Sequence, residues 1–334
     1  MYKYLIIISV VSLGIGIFIG RVFFVGEKQS IESTTPSDEL KEIRASGYKF
    51  ISPLLECEMG EGMNRLTGLN PLQKDIDEFI EGEKNAGTIS DAAVYFRDLN
   101  NGPWFGVNEH AAFSPASLLK LPVMMAYYRK AEMQPELLEK KVRFDGKTVL
   151  LEQTIEPTNS IKIGREYSIG DLIERMMIYS DNAALTVLED NIEPALIDKI
   201  TLDLGVETAT NSTPEDFMSV KGYSGLFRIL YNASYLEKNL SEKALEVLSK
   251  TQFSNGIVAG VPKSISVSHK FGERELPGGI NQLHDCGIIY HPNSPFLLCV
   301  MTRGKDFNYL AQTIAKISSI TFHGIESRTN NPDN

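Results

Sequence analysis

Hydrophobic and polar residues follow two different periods along the chain, and the order of these periods indicates the fold. Apolar positions at helical spacing occupy residues 71–86, and strand patterns at 91–97 and 103–107 follow, joined by an Asn-Asn-Gly turn. Separate helical patterns come next, at 117–132, 168–178, 182–190, 195–204, 214–235 and 242–251. Strand patterns return at 264–271, 284–290 and 296–302, and a helix is predicted over 306–321. Two β segments flanking a helical stretch predict an α+β fold: a sheet built from both ends of the globular part, with an all-helical lobe inserted.

The first 25 residues are predicted to form a membrane anchor. Residues 4–25 are apolar apart from Arg21, and a helix of this length crosses a bilayer core of roughly 30 Å. Lys3 and the amino terminus place positive charge before the apolar run, which favours a cytoplasmic N-terminus and an extracytoplasmic remainder. A cleaved signal peptide is the alternative, although no A-x-A cleavage site follows the run.

The remaining chain divides by composition into three parts. Residues 26–49 are polar and rich in Ser, Thr and Glu, as expected of a linker. Residues 50–325 carry the apolar patterning of a globular domain, and residues 326–334 are predicted to form a flexible tail.

The charge of the chain limits its possible partners, and its cysteine content limits the number of disulfides. The net charge is −10 and no run of Lys and Arg occurs, which argues against a nucleic-acid partner. Of the three cysteines, at most one pair can bond. Cys286 and Cys299 flank a predicted turn at 291–295 and would face each other in a suitable register, but two buried thiols are an equal alternative.

Ser117 and Lys120 are candidates for a nucleophile and its base. One helical turn separates them, so both side chains lie on the same face, and a helix beginning at Ser117 or Leu118 would favour an alkoxide and lower the pKa of the lysine. The same S-x-x-K spacing recurs at Ser46 and Lys49 in the polar linker. An N-capping serine and a solvated lysine are the structural alternative for the first pair.

Two further motifs support the catalytic interpretation. Ser180-Asp181-Asn182 stands between two helical patterns, where a tight loop would present polar side chains, although an ordinary helix cap has the same composition. His269-Lys270-Phe271-Gly272 ends a strand pattern. In this order, and with the flanks FSPASLLKLPVMMAYY, YSIGDLIERMMIYSDNAA and HDCGIIY, the chain from about residue 85 to 322 resembles the class A β-lactamase and penicillin-binding-protein superfamily.

The resemblance implies roles for the matching positions. Ser117 would be acylated, Lys120 would take its proton, and Ser180 would relay a proton to the leaving nitrogen. The backbone N–H groups of Ser117 and Glu273 would form the oxyanion hole.

The resemblance also implies that the other motif residues bind the substrate. Asn182 would hold a side-chain amide of the substrate, and Lys270 its carboxylate. Gly272 would let the strand backbone approach the ligand closely. Phe271 replaces a hydroxyl residue of the family pattern, so this part of the pocket is expected to be apolar.

The chain also differs from the family pattern at the residue needed for deacylation. Efficient class A enzymes carry a Glu-x-x-Leu-Asn segment whose glutamate activates water, and the sequence between the second and third motifs lacks it. Glu207 and Glu215 are the glutamates available there, and Glu215 is predicted to sit in the first turn of a helix that begins at Thr213-Pro214.

Two classes of function remain open at this stage. The first is a serine hydrolase that forms an acyl-enzyme with β-lactams or with D-Ala-D-Ala stem peptides of peptidoglycan. The second is a surface module that binds muropeptides or β-lactams without turnover. The five histidines show neither a G-x-S-x-G partner nor metal spacing and are predicted to have surface or capping roles, so no metal or cofactor is expected.

Overall fold

The computed structural model describes residues 42–57, 69–100, 102–147, 153–206 and 213–330. All of them belong to one unit, residues 39–334. The predicted anchor at 1–25, most of the linker at 26–49 and the last residues of the tail at 326–334 lie outside the described residues. Within the described ranges, no helix combines the length and apolar character needed to cross a membrane.

The described elements follow the predicted order, with four short strands that the sequence did not predict, at 42–44, 54–57, 141–143 and 166–168. The strands are β1 Glu42–Arg44, β2 Leu54–Cys57, β3 Asp91–Asp98, β4 Trp104–Val107, β5 Lys141–Arg143, β6 Glu166–Ser168, β7 Val267–Leu276, β8 Ile280–Ile289 and β9 Phe296–Gly304. The α-helices are α1 Asn70–Ala86, α2 Lys120–Ala131, α3 Ile169–Ile178, α4 Asn182–Glu189, α5 Pro194–Asp203, α6 Val220–Tyr231, α7 Lys238–Leu248 and α8 Phe307–Asn330. Short 3-10 helices occupy Ala116–Leu119, Pro135–Glu139 and Ile257–Gly260.

A five-stranded antiparallel sheet forms the centre of the domain. Its order is β4-β3-β9-β8-β7, so a hairpin from the N-terminal part pairs with three strands from the C-terminal part. This confirms the predicted α+β fold with a sheet built from both ends. Strand β7 lies at the edge of this sheet, which leaves one side of its backbone available to other groups.

Both faces of the sheet are covered, because its strands are apolar on both sides. On β3, Val94 and Phe96 join the core shared with α1 and α8, whereas Ala93 and Tyr95 join the core of the helical lobe. The result is a three-layer arrangement, helices on sheet on helical lobe.

Two helix predictions needed correction. The pattern at 214–235 predicts a helix that contains Glu215, but α6 begins at Val220, where the Ser219 side chain caps it by accepting from Gly222 N. The closing helix was predicted to end at residue 321 but continues to Asn330, because Phe322 and Ile325 are buried in the core that the sheet shares with α1.

The predicted boundary between linker and domain at residue 50 also shifts. Strand β1 falls inside the segment predicted to be linker, and it pairs with β2. The backbone N–H groups of Lys49, Phe50 and Ile51 donate to the Glu242 carboxylate of α7 at 2.9–3.2 Å. A polar composition concealed this attachment, because backbone pairing needs no apolar side chains.

A disulfide joins Cys286 of β8 to Cys299 of β9, which resolves the alternative left open by the sequence. The two residues are directly opposed in the register of the strands, and both are fully buried. The bridge therefore holds the pairing of the two strands at the middle of the sheet.

The double variant Cys286→Ala/Cys299→Ala is expected to lose roughly 3 kcal/mol of unfolding free energy, since the bridge closes a loop of 13 residues in the unfolded chain. Urea unfolding of the oxidised proteins measures the loss, and Cys57→Ala is the control. Equal stability of the double variant and the wild type would show that the strands hold their register without the bridge.

Candidate active site

Ser117 lies in the 3-10 helix Ala116–Leu119, immediately before α2. Its side chain is half-buried, and its preceding residue, Ala116, has a φ of 47°. A left-handed conformation at a residue with a Cβ is costly and persists only when neighbouring contacts hold it. The backbone at the candidate nucleophile is therefore set by its surroundings.

The contacts that hold this segment are hydrogen bonds to two elements, β8 and α6. Gln282 Oε1 of β8 accepts from Ser114 N at 2.9 Å, and His284 Nε2 donates to Ser114 O at 2.9 Å. Tyr223 of α6 donates its hydroxyl to Leu118 O at 3.1 Å. Burial lowers the pKa of His284 to about 4, so the ring is neutral near pH 7 and carries its proton on Nε2. The segment that presents Ser117 is thus fastened to both sheet and helical lobe.

The Ser180-Asp181-Asn182 segment connects α3 to α4, and its three side chains have different roles. Asp181 is the N-cap of α4 and accepts from Ala183 N, Ser160 Oγ and Ile161 N, each at 2.9 Å. Ser180 has a φ of 55°. The predicted capping role therefore applies to Asp181, while Ser180 and Asn182 are directed towards Lys120.

Lys120 is 2% exposed and donates to three oxygens of that loop. The distances from its Nζ are 2.6 Å to Ser180 O, 3.0 Å to Ser180 Oγ and 2.6 Å to Asn182 Oδ1. Burial lowers its pKa to about 7, and the negative charges of Asp181 and Glu273 oppose this effect. The amine consequently exchanges its proton within the neutral range.

Lys270 of β7 approaches the same hydroxyl from the sheet. Its Nζ lies 3.0 Å from Ser180 Oγ and 2.7 Å from Phe271 O, and the side chain is fully buried. Burial, together with the charge of Lys120, holds the pKa of Lys270 well below its usual value. Ser180 Oγ therefore lies between two lysine amines, which the sequence motifs could not show.

The structure brings together Lys120, Ser180, Asn182 and Lys270, with Ser117 on the adjoining turn. Among the described residues, no hydrogen bond joins Ser117 Oγ to Lys120 or to another side chain. Ser46 and Lys49, the second match to the spacing, lie by the N-terminal strand instead.

Strand β7 passes directly beside the candidate nucleophile at Gly272. A Cβ on Gly272 would lie 3.1 Å from Leu118 Cγ and 3.2 Å from Leu118 N and Pro115 O. Only glycine allows this approach without displacing the 3-10 helix. The edge strand β7 and the turn that carries Ser117 are thus in direct contact.

Glu273, the next residue, contributes a side chain that sequence analysis did not consider. Its Oε1 accepts from Thr154 N at 2.7 Å and from Ile155 N at 3.2 Å, which links β7 to the loop ahead of β6. A carboxylate beside backbone N–H groups has no local sequence signature, because Thr154 and Glu273 are far apart in the chain.

Phe271 follows Lys270 on β7. Its ring is 4% exposed and stacks on Phe253, with the ring centroids 4.5 Å apart. Lys270 Nζ lies 4.2 Å from the centroid of the Phe271 ring. The aromatic ring therefore packs against Phe253 and the lysine amine, and little of it is exposed.

Of the two glutamates considered as deacylation bases, the structure describes only Glu215. Glu207 lies outside the described residues. Glu215 lies in the segment before α6 and forms an ion pair with Arg274 of β7, with Nε and Oε1 2.6 Å apart. Both members of this pair are substantially exposed.

Three histidines predicted to lie at the surface or in caps are buried instead: His269, His284 and His291. His269 Nδ1 lies 2.8 Å from Asp285 Oδ1, and Asp285 Oδ2 accepts from Ile257 N. Their partners are distant in the chain, which is why no local pattern revealed them. The described residues contain no group of three or more His, Cys, Asp or Glu side chains placed to hold a metal ion.

Comparison with known proteins agrees with this geometry. Residues 71–325 match the sequence profile of the beta-lactamase enzyme family. Among solved structures, a β-lactamase from Chitinophaga pinensis has 19% identity and a TM-score of 0.67, over 77% of this chain and 100% of that one. PBP-A has 19% identity and a TM-score of 0.64, over 80% and 100% of the two chains. A β-lactamase from Burkholderia phymatum has 18% identity and a TM-score of 0.65, over 76% and 99%. No curated protein matches the chain.

The fold and the three motifs place the chain in the β-lactamase and transpeptidase-like superfamily of serine hydrolases. Within that class, because the profile match covers most of its length, the chain belongs to the beta-lactamase enzyme family.

Asp181→Ala is expected to lower the unfolding free energy by about 3 kcal/mol, because it removes a helix cap and leaves buried donors without acceptors. Ser180→Ala, in the same loop, is expected to cost about 1 kcal/mol. Urea unfolding of both variants provides the comparison. If the two substitutions cost the same, the Asp181 hydrogen bonds do not hold the loop.

Proposed function

We propose that this chain is a serine acyl-transfer enzyme that forms a covalent acyl-enzyme with β-lactams or with D-Ala-D-Ala peptides. The observation that carries the proposal is the array Lys120–Ser180–Lys270, in which one hydroxyl is 3.0 Å from each of two buried amines beside Ser117. Two lysines sharing one serine serve no evident need of packing, whereas they provide a route for a proton.

The proposed acylation step uses Ser117 as the nucleophile. Its Oγ attacks the carbonyl carbon, and its proton passes to neutral Lys120. As the tetrahedral intermediate collapses, the C–N bond breaks and the nitrogen takes a proton through Ser180 Oγ, which Lys120 replenishes. The hydrogen bonds of Ser180 support its role as the relay, since both amines share its oxygen.

The proposed oxyanion hole consists of the backbone N–H groups of Ser117 and Glu273. Two features support it: β7 is an edge strand, and Gly272 brings it against the turn that carries Ser117. Asn182 and Lys270 are proposed to bind the amide and the carboxylate of the substrate. A carboxylate is the ligand that would favour the charged form of the buried Lys270 amine, with which it would form a charge-assisted hydrogen bond.

Slow deacylation is part of the proposal. The chain has no Glu-x-x-Leu-Asn segment, and the Glu215 carboxylate is held by Arg274. A variant of PBP-A has been solved as an acyl-enzyme complex with penicillin G, so a structural neighbour forms such an intermediate. A long-lived acyl-enzyme is therefore expected here.

We also propose that the domain lies outside the cytoplasm, held by the N-terminal apolar segment as anchor. The buried disulfide between Cys286 and Cys299 supports this location, since such bonds persist in oxidising compartments. The apolar residues 4–25, preceded by Lys3, support the anchor.

The second candidate function is a surface module that binds muropeptides or β-lactams without turnover. The hydrogen bonds that Glu273 accepts from Thr154 N and Ile155 N favour it, because they fix the loop ahead of β6 against β7. A Ser117→Ala protein that binds ligand as tightly as the wild type would support this alternative.

Penicillin G is expected to add its mass to the wild-type chain and not to Ser117→Ala, because Ser117 is the proposed nucleophile. Intact-mass spectrometry over minutes to hours measures both formation and loss of the adduct. Slow deacylation predicts an adduct that persists for most of that time.

Ser46→Ala is the matched control, since Ser46 has the same S-x-x-K spacing in a different part of the fold. Labelling of Ser117→Ala would refute the assignment of the nucleophile. Rapid drug loss without an adduct would refute slow deacylation alone.

The rate of acylation is expected to rise as the pH passes through about 7, because Lys120 accepts a proton only in its neutral form and its pKa lies near 7. Lys120→Arg keeps the charge but cannot become neutral, so it is expected to acylate at least 100-fold more slowly, on the order of the loss of a general base. Quenched-flow mass spectrometry from pH 5 to 9 gives the profile. A rate that does not change over this range would exclude Lys120 as the base.

A further inference from the structure

A cavity of about 300 Å³ lies between one end of the sheet and helix α6, and it shares no lining residue with the active site. Tyr95 and Arg97 of β3, Trp104 of β4 and Lys221, Ser224 and Arg228 of α6 line it. The register of the sheet opposes Arg97 to Trp104, and the spacing of Lys221, Ser224 and Arg228 puts them on one face of the helix. The basic side chains of Arg97, Lys221 and Arg228 therefore line the same cavity.

These cations lack the partners that lysine and arginine usually have. Within the described part of the chain, no carboxylate lies within 4.0 Å of the charged nitrogens of Arg97, Lys221 or Arg228, and none of them forms a side-chain hydrogen bond. The chain carries 43 acidic and 33 basic residues, so acidic partners are in excess elsewhere. Three like charges gathered around one cavity create a local positive potential that favours an anionic ligand.

The aromatic residues of the cavity orient one of the cations. Lys221 Nζ lies 4.4 Å from the centroid of the Trp104 ring, which stacks on Tyr95 with centroids 5.6 Å apart. Desolvation, together with the charge of Arg97, lowers the pKa of Arg228, which places these two guanidinium groups within electrostatic reach of each other. An anion between them would remove this repulsion.

We propose that this cavity binds a phosphate group, carried either by a soluble phosphate ester or by the headgroup of an anionic phospholipid. Phosphate fits better than a carboxylate because it offers three acceptor oxygens and up to two charges to three cations. Guanidinium groups bind its oxygens through paired N–H donors.

Space for the rest of such a ligand adjoins the phosphate position. A second cavity of about 400 Å³ shares Arg97 and Arg228 and continues past Asp98 to Arg44 and Asn232. The two arginines thus stand where the cavities meet, so a phosphate held there can bear a substituent on either side.

The test is a calorimetric titration of the full-length chain, in a non-ionic detergent, with inorganic pyrophosphate as the probe. Arg97→Gln and Arg228→Gln are each expected to weaken binding at least 10-fold. Arg143→Gln, which removes the same charge from an exposed position on β5, is expected to bind as the wild type does. Near-ultraviolet circular dichroism of each variant establishes that it is folded.

Competition against bound pyrophosphate distinguishes the two sources of phosphate. Displacement by glycerol 3-phosphate alone would assign a soluble ester, and stronger displacement by dihexanoyl phosphatidylglycerol below its micellar concentration would assign a lipid headgroup. Absence of pyrophosphate binding, binding unchanged in both arginine variants, or binding that neither ester displaces would overturn the proposal.

Discussion

Burial of two lysine amines around one serine hydroxyl is the constraint on which the rest of the site depends. Lys120 and Lys270 are 2% and 0% exposed, and neighbouring ammonium groups repel each other strongly in such surroundings. Oxygen atoms of Ser180, Asn182 and Phe271 accept from them, and the Asp181 and Glu273 carboxylates lie close enough to raise the pKa of Lys120. Because these groups come from α2, from the loop before α4 and from β7, none of the three elements can shift without leaving a buried amine unsatisfied.

Tertiary contacts also hold the backbone conformations found beside the site. Ala116 and Ser180 both have positive φ values, although neither is glycine. Such conformations need support from tertiary contacts. Gln282, His284 and Tyr223 hold the first segment, and the hydrogen bonds of Asp181 hold the second. A site held in this way positions its donors and acceptors before a ligand arrives, which favours stabilisation of a developing oxyanion.

Strand register connects the site to the core of the sheet. Lys270 pairs with Cys286, which is bonded to Cys299 across the next pair of strands, and Phe271 pairs with Asp285. A slip of one residue in β7 would exchange the faces of Lys270 and Phe271 and remove the amine from Ser180. The disulfide thus joins β8 to β9, and β8 is the strand that pairs with β7, which carries Lys270.

The sequence by itself determined the α+β fold, most helices and strands, and the three motifs, since all of these depend on local periodicity or on residues close in the chain. It also indicated Ser117, Lys120, Ser180, Asn182 and Lys270 as one group. Only the tertiary structure decided that Lys120 and Lys270 share Ser180, that Glu273 bonds to Thr154 and Ile155, and that α6 begins at Val220. It also decided that Arg97 and Arg228 meet at one cavity. The physical reason is common to all of them: hydrogen bonds and charge clusters between distant segments depend on where the packed core brings the chain together, and spacing along the sequence contains no measure of that distance.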